Sequence, residues 1–212
     1  MLDIAWSVVF VVIGYLAGSI PTGYLIAKAY GVNIQKVGSG NIGATNVLRA
    51  VGVGPAIVVA LMDPLKGFLA TLFPQLLGAG PWVVALTGLA TVLGNNFNIF
   101  LKLKGGKGVA TSLGVFLAVN PLVTGLAALL GLFTMALGRY VSLGSLVGLV
   151  AAPLMLLASG DPLPAQLFLA LALALLTIYR HSDNISRLAR GSERRLGEKT
   201  ARSGAAPAEG EG

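Results

Sequence analysis

The sequence contains no cysteine and only one histidine, His181. The absence of cysteine excludes disulfides, thiol nucleophiles and thiolate metal sites. A single histidine argues against a histidine-rich metal centre. Charge is also scarce, because 11% of the 212 residues are charged, whereas a typical soluble domain has roughly 25%. We therefore expect no metal site.

Apolar residues are abundant: 55% of the chain is hydrophobic and the mean hydropathy is +0.83. A helix of about 20 apolar residues crosses the ~30 Å hydrocarbon core of a membrane. Seven apolar blocks occur in the chain: Ile4–Ile26, Val53–Leu77, Trp82–Phe100, Val109–Val119, Leu122–Leu137, Val141–Ala158 and Leu163–Tyr179. They predict an all-α integral membrane protein with seven transmembrane helices in a single domain, 1–196. A disordered cytoplasmic tail, 197–212, is predicted to follow.

The basic residues predict how these blocks are oriented. If the N-terminus is outside and all seven blocks span the membrane, every Lys and Arg except Lys66 falls in an inner segment. Joining the fourth and fifth blocks across Asn120-Pro121 would place Arg139 and the tail arginines outside, against the positive-inside rule. We therefore predict seven spans and a cytoplasmic C-terminus. The net charge of +7 also indicates an anionic partner, for which acidic lipids or phosphorylated substrates fit better than nucleic acid.

Two inner loops have compositions suited to anion binding. The first, Gly38–Arg49, places Ser, Asn and Thr side chains among glycines and ends in an arginine. The second, Lys102–Ser112, has glycines leading into a helix start, which is a natural phosphate cradle. It is not a Walker A loop, because Gly108 follows Lys107 where that motif requires Ser or Thr. The competing interpretations are a flexible turn for the first loop and a positive-inside anchor for the second.

Two further groups of polar residues lie at or within the predicted spans. His181 and Asn184 are three residues apart, hence on one helical face at the inner membrane boundary. They could line a pocket or cap a helix. Asp63 and Lys66 lie inside the second block, where an unpaired charge is costly. They are expected to pair with each other or to lie near the inner pocket.

Three motifs resemble those of the bacterial acyl-phosphate glycerol 3-phosphate acyltransferases, the PlsY-type family. They are Ser39-Gly40-Asn41-x-Gly43-Ala44-Thr45-Asn46-Val47-x-Arg49, Lys104-Gly105-Gly106-Lys107-Gly108-Val109-Ala110-Thr111, and Arg180-His181-x-x-Asn184-Ile185-x-Arg187-Leu188 with Glu193. One stretch departs from the family pattern Gly-His-x-Phe-Pro, since Asn95 replaces the histidine and Asn98 the proline. Asn95 can form hydrogen bonds but cannot take up a proton.

The resemblance implies a fold of seven membrane helices and a reaction without metal or organic cofactor. The implied reaction moves a fatty acyl group from acyl phosphate to the 1-hydroxyl of glycerol 3-phosphate, giving lysophosphatidic acid and phosphate. It implies a monomeric enzyme of the bacterial inner membrane, surrounded by membrane lipids, with its active site on the cytoplasmic face. The residues carried over as catalytic are His181, Asn184, Lys107, Arg49 and Ser39. Those carried over as substrate-binding are Asn41, Thr45, Asn46, Lys104, Gly105, Gly106, Gly108 and Ser142.

Two other classes of protein fit the composition. A transporter or channel for an organic phosphate would place basic residues near the middle of the membrane, with access from both faces. Here only Asp63 and Lys66 lie inside a predicted span. A non-catalytic scaffold that binds anionic lipid would not require so many small polar groups in Ser39–Arg49.

Overall fold

The computed structural model describes residues 4–160 and 162–198, and within them the regular structure is helical. Two short 3-10 turns occur, at Ile34–Lys36 and Ile99–Leu101. The α-helices of this part of the chain are α1 (Ile4–Gly18), α2 (Thr22–Ala29), α3 (Ala44–Ala50), α4 (Val53–Leu76), α5 (Pro81–Asn96), α6 (Val109–Val119), α7 (Pro121–Gly138), α8 (Val141–Ala158), α9 (Pro164–Arg180) and α10 (Ser182–Ala189). Apart from positions 197 and 198, the predicted tail lies outside the described residues.

Each of the seven predicted apolar blocks forms helix, but not every block is long enough to cross a membrane alone. Five stretches have the required length and apolarity: Ile4–Ala29, Val53–Leu76, Pro81–Leu101, Pro121–Gly138 and Val141–Ala158. A sixth results if α9 and α10, which are bent by 61° at their junction, form one span. With 11 residues, α6 reaches only ~16 Å. The protein is therefore a multi-pass membrane protein, while seven spans and their orientation remain predictions.

Prolines determine two helix boundaries. The first block was predicted to be continuous from Ile4 to Ile26, but α1 ends at Gly18 and α2 begins at Thr22. Pro21 accounts for this break, because it lacks an N–H and disfavours helical backbone in the residue before it. The fourth and fifth blocks are separate helices, as predicted, with Pro121 as the first residue of α7. The Asn120 side chain caps α7 by accepting a hydrogen bond from the backbone N–H of Val123 at 3.1 Å.

Small residues allow the helix backbones to pack closely. A Cβ added to Gly18 of α1 would lie 1.9 Å from the Thr91 carbonyl oxygen of α5. One added to Gly114 of α6 would lie 1.8 Å from the Pro64 carbonyl oxygen of α4. Larger apolar side chains point outwards, among them Leu129, Phe133 and Leu175. This is the arrangement expected when helices pack through small residues and present apolar side chains to lipid.

The two inner loops and the α9–α10 junction meet at one end of the bundle. The backbone N–H groups of Gly105 and Gly106 donate to the carbonyls of Asn96 and Asn95 at the end of α5. The Arg180 side chain, at the end of α9, reaches the same loop. The fold thereby brings together segments that are far apart in sequence.

Candidate active site

The first inner loop is shaped by the side-chain amide of Asn46, which is 2% exposed. Its Oδ1 accepts a hydrogen bond from the Ser39 N–H at 3.1 Å. Its Nδ2 donates to the carbonyls of Ile34, Val37 and Asn41 at 3.3, 2.9 and 2.9 Å. Because one buried amide satisfies four backbone groups, the glycine-rich stretch has a defined path. It is not the flexible turn that its composition also allowed.

The side chains of this loop that remain available lie along the same path. The Ser39 hydroxyl accepts a weak bond from the Asn41 N–H at 3.4 Å, and the Asn41 Oδ1 accepts from the Gly43 N–H at 3.3 Å. Arg49 lies in the last turn of α3, and its guanidinium donates to the Arg195 carbonyl at 3.4 Å. These contacts are long, so the hydroxyl and the guanidinium keep donors for a ligand.

The second inner loop is held from two sides. On one side the Gly105 and Gly106 N–H groups donate to Asn96 and Asn95 at 3.2 and 2.9 Å. On the other side the Arg180 guanidinium donates to the Gly106 carbonyl at 3.2 and 2.8 Å and to the Gly105 carbonyl at 3.3 Å. The loop carbonyls are therefore turned towards Arg180 and occupied by it.

The start of α6 follows directly from this loop. Gly108 precedes the helix with φ +78°, a left-handed conformation that favours glycine. An added Cβ there would also lie 2.5 Å from the Asn96 Oδ1. The first N–H groups of a helix have no partner within the helix, and Val109, Ala110 and Thr111 all line the cavity described below. This end of α6 is suited to holding an anion.

The third element supplies His181 and Asn184, which are 2% and 6% exposed. His181 lies at the bend between α9 and α10, and its Nδ1 lies 2.9 Å from the Thr177 carbonyl oxygen. Because a carbonyl can only accept, Nδ1 carries a proton, and in the neutral ring Nε2 is the proton-accepting nitrogen. The Asn184 Oδ1 accepts a hydrogen bond from the Lys107 ammonium, which joins the third element to the second loop.

Glu193 connects three parts of the site. Its Oε1 accepts from the Ser142 hydroxyl at 2.9 Å and from the Asn184 Nδ2 at 2.6 Å, and its Oε2 pairs with the Arg187 Nε at 2.7 Å. The Glu193 side chain is only 7% exposed. A buried carboxylate needs such donors to remain charged. Glu193 thus orients Asn184 and, through it, Lys107.

Charges from different elements act on each other across this site. Burial lowers the pKa of Lys107 to about 8, against the attraction of Glu193 and with the help of Arg187 and Arg180. Burial alone would raise the pKa of Glu193, but hydrogen bonds from Asn184, Arg187 and Ser142 bring it below its ordinary value. Lys107 is therefore a cation that titrates near physiological pH while its carboxylate neighbour stays ionised.

All the predicted site residues except Lys104 and Gly105 line one cavity of about 560 Å³. His181 and Asn184 face it from the third element, Lys107 from the second, and Arg49 and Ser39 from the first. Lys104 is exposed and lies outside the lining, and its carbonyl accepts a hydrogen bond from the Gln35 side chain at 3.0 Å. The amide of Asn46 lines the cavity but is fully engaged with its own loop.

Several lining residues had been given no role from the sequence. They include Glu193, Arg180, Arg187, Arg194 and Asn95. Asp63, which the sequence predicts to pair with Lys66 or to lie near the pocket, does both. The third motif includes Arg180, Arg187 and Glu193, so the sequence does indicate these three residues. The sequence did not reveal that Glu193 folds back onto Asn184 and Ser142. Leu113, Met135 and Val141 form an apolar part of the cavity wall between α6, α7 and α8.

The fold and the cavity together define a multi-pass membrane protein with a basic, polar cavity of about 560 Å³ at one end of its helix bundle. The family model of glycerol-3-phosphate acyltransferases matches residues 8–191. A glycerol-3-phosphate acyltransferase of Thermus thermophilus is 50% identical over 189 residues, which is 88% of this chain and 94% of the relative. One of Rubrobacter xylanophilus is 45% identical over 195 residues, covering 92% and 97% of the two chains.

Solved structures agree with the sequence relatives. A crystal structure of PlsY, an integral membrane glycerol 3-phosphate acyltransferase in its glycerol 3-phosphate form, superposes with a TM-score of 0.86 and 45% identity. It covers 90% of this chain and 96% of that chain. The lysophosphatidic acid form superposes with a TM-score of 0.83 at 44% identity, covering 90% and 95%. The chain belongs to the glycerol-3-phosphate acyltransferase family of PlsY type.

Proposed function

We propose that the protein transfers a fatty acyl group from acyl phosphate to the 1-hydroxyl of glycerol 3-phosphate, releasing lysophosphatidic acid and inorganic phosphate. The observation that carries this proposal is the meeting of three polar segments in one cavity of about 560 Å³ that also has an apolar wall. Both substrates bear phosphate, and one bears an acyl chain. The relatives solved in glycerol 3-phosphate and lysophosphatidic acid forms support the same substrate and product.

Two anion sites fit the geometry. One phosphate is held by Lys107, the backbone N–H of Gly108 and the first N–H groups of α6, while Gly106, whose own N–H and carbonyl are engaged by Asn95 and Arg180, shapes the loop. The second phosphate or the glycerol hydroxyls are held by Ser39, Asn41, Thr45 and Arg49. A guanidinium can bind phosphate through two parallel hydrogen bonds, whereas an ammonium acts as a compact charge.

The remaining predicted residues support these ligands. Asn46 keeps the first loop in shape, and Gly105 does so for the second through its bonds to Asn96 and Arg180. Ser142 contributes through Glu193, to which its hydroxyl donates. Lys104 attracts anions from outside the cavity.

The reaction needs no covalent enzyme intermediate, because acyl phosphate is a mixed anhydride with a good leaving group. The 1-hydroxyl oxygen attacks the acyl carbonyl carbon, the bond from that carbon to the phosphate oxygen breaks, and phosphate leaves with the bonding electrons. The hydroxyl proton passes to Nε2 of His181 or to a substrate phosphate. Catalysis then rests on positioning and on fixed charges near the reacting atoms, and no metal or organic cofactor takes part.

The apolar wall suggests where the acyl chain lies. Leu113 of α6, Met135 of α7 and Val141 of α8 line the cavity together with the cationic groups. An acyl chain bound against these residues contacts apolar groups. No charged side chain then has to be buried against hydrocarbon, which would cost free energy. The chain remains among apolar groups while the headgroup chemistry occurs among Lys107, His181 and Asn184.

We further propose that the enzyme is a monomer in the bacterial cytoplasmic membrane, with membrane lipids around seven spans and the active site on the cytoplasmic side. The one-sided distribution of Lys and Arg supports this orientation. A single domain, 1–196, accounts for the motifs, and residues 197–212 form an appended tail.

The proposal is tested with purified protein in lipid vesicles and three acyl donors: acyl phosphate, acyl-CoA and acyl carrier protein loaded with a fatty acyl group. Lysophosphatidic acid is measured by mass spectrometry and phosphate by a colorimetric assay. We expect product with acyl phosphate only, and a rate lowered about 10²-fold or more in Lys107→Met, since removing one charge-stabilising donor typically has that effect. Product from acyl-CoA alone, or wild-type rates in both Lys107→Met and His181→Ala, would contradict it.

The same vesicles separate an enzyme from a transporter. Vesicles loaded with buffer are incubated with radiolabelled glycerol 3-phosphate, and the label trapped inside is counted after filtration. The cation within α4 is Lys66, whose ammonium lies 2.8 Å from the Asp63 carboxylate. Because it is paired, it is not free to carry an anion. We therefore expect no uptake above that of protein-free vesicles. Uptake without any acylated product would favour the transporter.

A further inference from the structure

The Lys66 side chain makes three polar contacts inside a predicted span. Lys66 belongs to α4, and its side chain is 9% exposed. Its Nζ pairs with the Asp63 Oδ1 at 2.8 Å and donates to the Ile20 carbonyl at 3.1 Å and to the Asn95 Oδ1 at 2.9 Å. An ammonium has three N–H donors; two of them bond to the Ile20 carbonyl and the Asn95 Oδ1, and the Asp63 carboxylate lies in ion-pair contact. Lys66 therefore ties α4 to the break after α1 and to the end of α5.

Asn95 connects this network to the phosphate-binding loop. Its carbonyl accepts the Gly106 N–H at 2.9 Å. A Cβ added to Gly105 would lie 2.0 Å from the same carbonyl oxygen, and one added to Gly106 would lie 2.9 Å from the Asn95 Nδ2. The loop backbone rests directly on Asn95, so a displacement of Asn95 must displace the loop as well.

Lys66 itself does not touch the cavity. Asn95 and Asp63 line it, whereas Lys66 contacts both of them without being part of the lining. Charged side chains inside a span cost free energy, so they usually pair with each other or serve a function. Packing alone would be satisfied by apolar residues of similar size, because replacing a buried ion pair in this way is often neutral or stabilising.

We infer that Lys66 is a positioning residue for the acyl transfer, acting through Asn95 to hold Gly106 and Lys107 at the distance that a bound phosphate requires. The inference rests on the proposed function, since it assigns a role within that site. Asp63 balances the charge of Lys66, and Arg180 holds the other side of the loop. Loss of the Lys66–Asn95 bond should loosen phosphate binding more than it slows the bound complex.

The first test compares substrate KM values in five variants, with protein amount and Tm measured for each. Lys66→Met and Asn95→Leu each remove one partner of the Lys66–Asn95 hydrogen bond. We expect each to raise the KM of a phosphate-bearing substrate about tenfold. Because the two residues are coupled, the KM of the double variant should be no higher than that of either single variant. Asn95→His retains an acceptor nitrogen and should stay near wild type. Gln75→Leu is the matched control: it deletes a helix-crossing bond to the Ala118 carbonyl at 3.1 Å, away from the site.

The second test is hydrogen exchange of the Gly106 amide, which does not depend on activity. We expect faster exchange at Gly106 in Lys66→Met and Asn95→Leu, and wild-type exchange in Gln75→Leu. The inference would be overturned if the KM values for both substrates and the Gly106 exchange rate were unchanged. It would also be overturned if the fold-increases in KM of the two single variants multiplied in the double variant. A wild-type protein without acyltransferase activity would instead overturn the proposed function, and the exchange result would still decide whether Lys66 positions the loop.

Discussion

The substitution Glu193→Gln tests how the third element controls Lys107. Glu193 accepts hydrogen bonds from Ser142 and Asn184 and pairs with Arg187 at 2.7 Å. Glutamine keeps one oxygen acceptor but replaces the other with an NH₂ group, which has to face a donor. The position of Asn184, and with it the hydrogen bond to Lys107, should shift.

The expected magnitude follows from these contacts. Arg187 is 37% exposed, so solvent screening limits the ion pair to about 1 kcal/mol. Hydrogen bonds to a charged acceptor contribute about 1.5–3 kcal/mol each, and glutamine retains part of that. A net loss of about 2 kcal/mol in positioning corresponds to a decrease in kcat/KM of roughly 30-fold.

The assay is the rate of lysophosphatidic acid formation as a function of pH. In the wild-type protein kcat/KM should fall as pH rises through about 8, because Lys107 loses its proton there and kcat/KM reports groups of the free enzyme. Glu193 raises the pKa of Lys107, so Glu193→Gln should move this fall to lower pH. Glu198→Gln is the control, since Glu198 is exposed and, among the described residues, accepts a hydrogen bond from the Arg195 N–H and none from Asn184 or Lys107. A fall that stays in place or moves to higher pH would refute the reasoning.

Three other substitutions give independent outcomes. Lys107→Arg should move the alkaline fall of kcat/KM beyond pH about 9 because arginine stays charged, and an unchanged pH profile would argue against Lys107 as the titrating group. Asn46→Ala removes the donor and acceptor that shape the first loop and should raise the KM of glycerol 3-phosphate about tenfold or more, whereas an unchanged KM would show that the loop is shaped by other contacts. Gly114→Leu forces a side chain against the Pro64 carbonyl, 1.8 Å from the added Cβ, and should lower the Tm in detergent by several degrees relative to Gly125→Leu, whose Cβ meets nothing within 4 Å; equal Tm values would contradict the packing.

Much of the fold could be predicted because hydropathy and proline act locally. Every apolar block forms helix, and Asn120-Pro121 separates α6 from α7 as expected. The break between α1 and α2 was missed, although Pro21 marks it. Apolar residues predominate on both sides of Pro21, so the hydropathy pattern alone predicts a continuous block. The number of complete spans cannot be read from helix length alone, because α6 is short and α9 bends into α10.

The candidate site could be predicted as far as single motifs extend. The residues His181, Lys107 and Arg49 come from three motifs, and the structure brings them to one cavity. The role of Asn46 as the organiser of its loop could not be foreseen, because it depends on which backbone groups the loop turns inwards. The position of Glu193 depends on the chain reversing after α10, where Gly191 has φ +69°. Lys104 is exposed and lies outside the cavity lining, so its contact with substrate stays a prediction, and the motif does not reveal which lysine the loop exposes.

The most direct test of the central claim is a mass balance in one vesicle preparation. Purified wild-type protein receives radiolabelled glycerol 3-phosphate and acyl phosphate, and the lysophosphatidic acid and inorganic phosphate formed are both quantified. The account predicts equal molar amounts of the two products and no phosphate release when glycerol 3-phosphate is omitted. Phosphate release without lysophosphatidic acid, or neither product from folded protein, would contradict it.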